Sequence, residues 1–196
     1  MDGTLAREPT GLPMDYIPTS IPEVFTITPN RHRDERGHFA ETFRAEWFPE
    51  HIFVQDNHSH SVRARTLRGL HFQTPPYQQT KVIRVARGRV RDIAVDLRAG
   101  SPTFLGHVVV ELSADNGVQV LVPGDFAHGF ITLEPDTVVL YKVTNYHSAA
   151  HERGIPWNDP GIAADWGIDG EPILSDRDQR HPRFDPATTP FTYGDS

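Results

Sequence analysis

The run Arg68-Gly69-Leu70-His71-Phe72-Gln73, closed by Thr74-Pro75-Pro76, sets one imidazole among apolar neighbours and beside a guanidinium. Read as a strand, strict alternation puts Arg68, Leu70 and Phe72 on one face and Gly69, His71 and Gln73 on the other. His71 then points into whatever the sheet encloses, either as a half-buried ring bonded to a carbonyl or as a proton acceptor. Its company further along the chain favours the second role. Lys81 heads the strand after the Pro-Pro turn, His128 is isolated between Phe126 and Phe130, and Tyr141 lies on a late strand. Histidine accepts protons near neutral pH, a phenol can return one, and an ammonium steadies a developing enolate oxygen. Together they suit removal of a proton from a carbon next to a carbonyl, followed by reprotonation. Hydrolysis suits them less, because no nucleophilic Ser or Cys elbow is present.

Other chemistries fit poorly. No glycine-rich phosphate loop or dinucleotide fingerprint occurs, so a phosphate would be held by arginines, with Arg36, Arg68 and Arg177 as candidates. A metal-binding barrel would place a second histidine two residues after His71, where Gln73 stands, and a glutamate soon after, which is missing. His58 and His60 have that spacing without the carboxylate that would complete a site. No metal and no cofactor is expected.

The chain has 196 residues, no cysteine and a formal net charge of -7. That length suits one domain with a real core, and the acidic balance disfavours a nucleic-acid partner while leaving room for a local basic cluster. Without cysteine there is no disulfide or thiolate chemistry, which fits a cytoplasmic protein. No run approaches the roughly 18 to 20 apolar residues of a membrane span, and no signal peptide is recognisable. Residues 1–13 read as a flexible extension, and 14–196 as the single domain.

The elements that must position these side chains are short strands. They are expected from Val24 to Thr28, through Phe39, Glu41 and Phe43 after a charged turn at Gly37, and over Val54–Ser61. Further strands are expected over Lys81–Ala86, Val90–Leu97, Thr103–Leu112, Val118–Val122, Phe126–Ile131 and Thr137–Val143. In the second of these, Glu41 and Phe39 either face water on an edge or line a ligand wall. In Val54–Ser61, Gln55, Asn57, Ser59 and Ser61 share one face. Asp115-Asn116-Gly117 reads as a hairpin turn. Residues 44–50 suit a short helix or turn, Trp157 and Trp166 suit packing anchors, and Ser175 with Asp178 resembles a capping box. Many short strands and almost no 3.6-residue period argue an all-β barrel or double-sheet jelly roll.

Arg68–Gln73, Asp96–Phe104, Val122–Phe130 and Ser175–Asp178 together resemble the dTDP-4-dehydrorhamnose 3,5-epimerase family, in order over about residues 34–178. The resemblance implies a metal-free cupin jelly roll with short peripheral helices. It implies a homodimer acting on dTDP-4-dehydro-6-deoxy-D-glucose on the way to dTDP-L-rhamnose. It assigns His71 as base, Asp178 as its partner, Tyr141 as acid and Lys81 as the enolate's companion. Substrate contacts fall on Arg36, Phe39, Glu41, Gln55, Asn57, Arg68, His128, Tyr146 and Glu152, with Arg177 a further phosphate candidate. Arg36 and Phe39 are expected to serve the neighbouring subunit if the N-terminal strands are exchanged. The rivals are a mono-epimerase or ketoisomerase of the same family, a metal-dependent cupin oxygenase, and a non-catalytic sugar-binding cupin.

Overall fold

Runs rich in Val, Ile, Thr and Phe, broken by Gly and Pro, become short strands because β-branched and aromatic side chains pack well on a pleated surface. A computed structural model describes residues 14–194, and the thirteen-residue extension lies outside them. In chain order the strands are β1 (Met14–Pro18), β2 (Phe25–Pro29), β3 (His32–Asp34), β4 (Gly37–Phe39), β5 (Gln55–Ser61), β6 (Leu67–Gln73), β7 (Lys81–Arg87) and β8 (Arg89–Asp96). They continue as β9 (Arg98–Ala99), β10 (His107–Ser113), β11 (Gln119–Val122), β12 (Phe126–Thr132), β13 (Thr137–Val143), β14 (Glu152–Gly154) and β15 (Phe191–Thr192). Single 3₁₀ turns at Ala45–Trp47, Asp178–Arg180 and Pro186–Thr188 complete the regular structure among the described residues.

Two antiparallel sheets face each other. One runs β1-β2-β11-β7-β13-β5 and the other β10-β8-β12-β6-β14. From β5 to β8 and from β10 to β14 the chain changes sheet at every step, which is the winding of a jelly roll. Between the sheets lie Ile83, Val85, Ala94, Val120, Phe126, Phe130 and Val139. Burial of each large apolar side chain here contributes roughly 1.5–3 kcal/mol. Behind the five-stranded sheet a second cluster packs Leu67, Leu70, Phe72, Ile93 and Val95 against Ile155, Ile162, Trp166 and Phe191 from the C-terminal segment. Trp166 donates its indole N–H to the Trp157 carbonyl at 2.7 Å, so both tryptophans anchor that segment as expected. No helix among the described residues is long and apolar enough to cross a membrane.

Three expectations are corrected. The Asn-Gly turn forms, with Gly117 at φ +66°, yet it closes no hairpin, because β10 edges one sheet and β11 lies inside the other. Val108 and Leu112 meet Val120 and Val122 across the sandwich, and stacking these faces decides the pairing. Second, the strand after Gly37 stops at Phe39, so Phe39 and Phe43 part ways. Phe39 is 68% exposed, whereas Phe43 stacks on Phe48 and meets Phe53 edge-on outside the six-stranded sheet. Third, Arg68 does not share a face with Leu70 and Phe72. His71 pairs with His128 but Arg68 with Phe130, so three steps on β6 match two on β12. This bulge shifts the phase of the strand and brings Arg68 round to the side of His71. Gly69 sits in the break at φ +130°, where a Cβ would come 2.5 Å from the Gly129 Cα.

Candidate active site

β6, β7, β12 and β13 place His71, Lys81, His128 and Tyr141 around one cleft of about 650 Å³, into which Arg68 and Arg177 also turn. An adjoining hollow of about 310 Å³ shares His71, Lys81 and Tyr141 and adds Gln55, Asn57 and Glu152. The alternation of β5 thus sends Gln55 and Asn57 inward, and the Gln55 amide donates to Asn57 Oδ1 at 2.7 Å.

Asp178 arrives from the far end of the chain. Its segment is moored by backbone bonds, Leu67 N–H to the Ile173 carbonyl at 2.9 Å and Ile173 N–H to that of Arg65 at 2.8 Å. Ser175 Oγ accepts the Asp178 N–H at 3.1 Å, so half of the expected capping box forms. The carboxylate itself turns to His71, with Oδ1 2.6 Å from Nε2, a charge-assisted length. Burial works against ionisation of Asp178, but the hydrogen bond and charge of His71 outweigh it and hold the carboxyl below its usual range. With Nε2 engaged by a carboxylate, Nδ1 is the nitrogen left to accept a proton.

The other groups are tuned by the same low-dielectric setting. Burial lowers the Lys81 ammonium to about 8, with Asp92 and Glu152 resisting. Burial raises the Tyr141 phenol, which keeps its proton at neutral pH. His128 Nε2 lies 2.8 Å from Oδ2 of Asp92, which is buried behind it. Glu152 accepts from Arg177 Nη1 at 2.7 Å and faces His147 Nε2 at 2.6 Å. Burial opposes its ionisation, yet these partners hold its carboxyl below the usual range. Arg68 is steadied by the His60 carbonyl at 3.2 Å.

Four of the sequence-derived candidates lie apart from the cleft. Arg36 occupies the β3–β4 turn with its side chain 85% exposed and paired to Asp34 at 2.6 Å. Phe39, at the end of β4, is exposed as well. Glu41 pairs with Arg44 at 3.5 Å and lines a separate hollow of about 290 Å³ with Phe43, Arg84 and Lys142. Tyr146 is 66% exposed beyond β13, though its carbonyl accepts from the Gln73 amide at 3.2 Å.

Sequence reasoning missed Asp92, Gln73 and His181. Asp92 was signalled, since alternation in β8 sets it inward between Val90 and Ala94, where a carboxylate needs a partner. Nothing local marked His181. Its Nε2 stands 3.3 Å from Asp178 Oδ1, and its ring meets that of His71 at 5.5 Å and 80°. His71, Asp178 and His181 are the one trio of ligand-type side chains brought together among the described residues. Here they satisfy one another, as a carboxylate shared by two imidazoles.

A sequence model of dTDP-4-dehydrorhamnose 3,5-epimerases matches residues 18–186. The chain belongs to the dTDP-4-dehydrorhamnose 3,5-epimerase family. It is 46% identical over 184 residues to the dTDP-4-dehydrorhamnose 3,5-epimerase of Sinorhizobium fredii, covering 92% of this chain and 94% of that one. Among solved structures, the Bacillus anthracis dTDP-4-dehydrorhamnose 3,5-epimerase with TDP and PPi bound aligns with a TM-score of 0.84 and 46% identity, over 87% of this chain and 99% of that one. The Legionella pneumophila dTDP-6-deoxy-D-glucose-3,5-epimerase in complex with dTDP-4-keto-L-rhamnose aligns with a TM-score of 0.85 and 39% identity, over 91% and 98%. The cupin jelly roll expected for this epimerase family is the fold observed.

Proposed function

We propose that this protein epimerises dTDP-4-dehydro-6-deoxy-D-glucose at C3 and C5, giving dTDP-4-dehydro-L-rhamnose for dTDP-L-rhamnose synthesis. The observation that carries the mechanism is the Asp178–His71 pair, at 2.6 Å, opening on the cleft that holds Lys81 and Tyr141. The C4 ketone makes the protons on both neighbouring carbons removable. His71 takes the proton from C5, the electron pair moves onto the C4 oxygen as an enolate, and the Lys81 ammonium stabilises that charge. Tyr141 returns a proton to the opposite face, and the same sequence at C3 completes the double inversion. Asp178 stabilises the imidazolium that forms in between. No cofactor enters these steps.

Arg68 and Arg177 bind the diphosphate, while Gln55, Asn57, His128 and Glu152 contact nucleotide and sugar. Arg36, Phe39 and Glu41 complete the neighbouring site in a homodimer, which gives a use to three residues that a single protomer leaves outside its cleft. Residues 14–196 form the catalytic domain in this reading. The absence of cysteine accords with a cytoplasmic enzyme.

Incubation with dTDP-4-dehydro-6-deoxyglucose in D2O, followed by NMR, tests the proposal. Deuterium is expected at both C3 and C5. Incorporation at one carbon only would assign a mono-epimerase, and none at either carbon with a bound nucleotide sugar would leave a binding protein.

A further inference from the structure

Asp178 presents one oxygen to two rings. Oδ1 lies 2.6 Å from His71 Nε2 and 3.3 Å from His181 Nε2. The His181 side chain is only 9% exposed and lines neither hollow of the cleft. Its place is prepared by the neighbouring strand. Gly154 on β14 stands opposite His71 on β6, and a Cβ at 154 would run into the His181 imidazole. A glycine there leaves a slot that admits the ring at the side of the base.

We infer that His181 is a positioning residue, one that fixes the Asp178 carboxylate beside His71 and sets how strongly that carboxylate favours the protonated base. The inference rests on the reading of His71 as the proton acceptor. The charged and titratable groups facing His181 are His71 from β6 and Asp178 and Arg177 from its own segment. Burial and the nearby charge of His71 hold the His181 pKa below its ordinary value. His181 therefore stays neutral while His71 carries the proton, and its N–H goes on donating to Oδ1. Each hydrogen bond to that oxygen withdraws part of the negative charge that imidazolium at 71 would otherwise feel. Losing the second donor leaves Asp178 wholly to His71, and the carboxylate then holds an imidazolium there more strongly.

The test compares His181→Phe, which fills the slot without an N–H, with His181→Gln, which restores a donor. The readouts are kcat, KM and the pH profile of C5 deuterium exchange with dTDP-4-dehydro-6-deoxyglucose. For H181F we expect kcat to fall about tenfold, the value of one hydrogen bond to a charged group, with KM unchanged. Its acid limb moves up by roughly half to one pH unit, and H181Q returns the limb toward that of the unaltered protein. A loss of kcat with the limb unmoved would reduce His181 to a packing residue and overturn the inference. An equal shift in H181Q and H181F would overturn it as well. His71→Ala, measured alongside, separates the two ideas. Exchange surviving in a folded H71A protein removes the base assignment itself, whereas a silent H71A with an unshifted H181F removes only the role given to His181.

Discussion

Asp178 Oδ1 lies 2.6 Å from His71 Nε2, the carboxylate 5% exposed and the imidazole 29% exposed toward the cleft. The buried partner fixes the ring and the open one reaches substrate. Asp178→Asn keeps the shape but removes the charge that supports an imidazolium, so kcat is expected to fall about 10²–10⁴-fold. The same change alters acid stability. Because the folded pKa of Asp178 is lowered, its contribution is full above the unfolded carboxyl value and is lost as pH falls through the lower folded value. Denaturant midpoints measured from neutral to acid pH should therefore decline less steeply in D178N.

Lys81 sets a conflict between stability and turnover. Its ammonium titrates at about 8 instead of 10.5, so the enolate loses its cation and kcat declines as pH rises through about 8. Stability has the opposite sign. Between about 8 and 10.5 the unfolded chain binds the extra proton, so stability increases with pH in that window, and below it the buried charge is a burden. Lys81→Met should abolish epimerisation while stabilising the fold at pH 7 by on the order of 2 kcal/mol. A denaturation curve beside an activity assay checks both halves.

Tyr141 is held protonated by burial. Tyr141→Phe retains the ring and removes the proton, so abstraction and delivery should come apart. Solvent deuterium would still wash into C5 through His71, whereas inverted product would fall about 10²-fold. Comparing exchange with product stereochemistry by NMR decides it, and equal loss of both would deny Tyr141 the part of acid.

Arg36 is solvent-exposed on its own protomer. If it grips the diphosphate of a neighbouring site, Arg36→Ala raises KM by about tenfold, with kcat and monomer stability unchanged. Sedimentation of the unaltered protein should then report a dimer, and a monomer with full activity would exclude the exchange.

Much of this was legible because strand alternation is local. Alternation puts Gln55 and Asn57 on one face of β5, the face that lines the hollow beside the cleft, and Tyr141 lies on the late strand expected to carry it. Arg68 went astray because alternation assumes an unbroken ladder, and the break is imposed by the approach of Gly69 to Gly129, far apart in sequence. At Asn116 the turn chemistry was right but its strands serve different sheets, since pairing is decided by which apolar faces stack. His181 had no local signal, because its meeting with His71 is made by the fold of the C-terminal segment. The candidates on β3–β4 were marked by residue type, by alternation and by family likeness, none of which says whose cleft they fill.

The order of the elements also gives the enzyme a schedule. The strands that place His71, Lys81, His128 and Tyr141 are complete by Val143, while the carboxylate that supports the base waits in the mooring that begins at Ile173. A chain growing on the ribosome can close its barrel and still be chemically idle. Competence comes only when the last segment docks on the sheet and delivers the Asp178 carboxylate to His71.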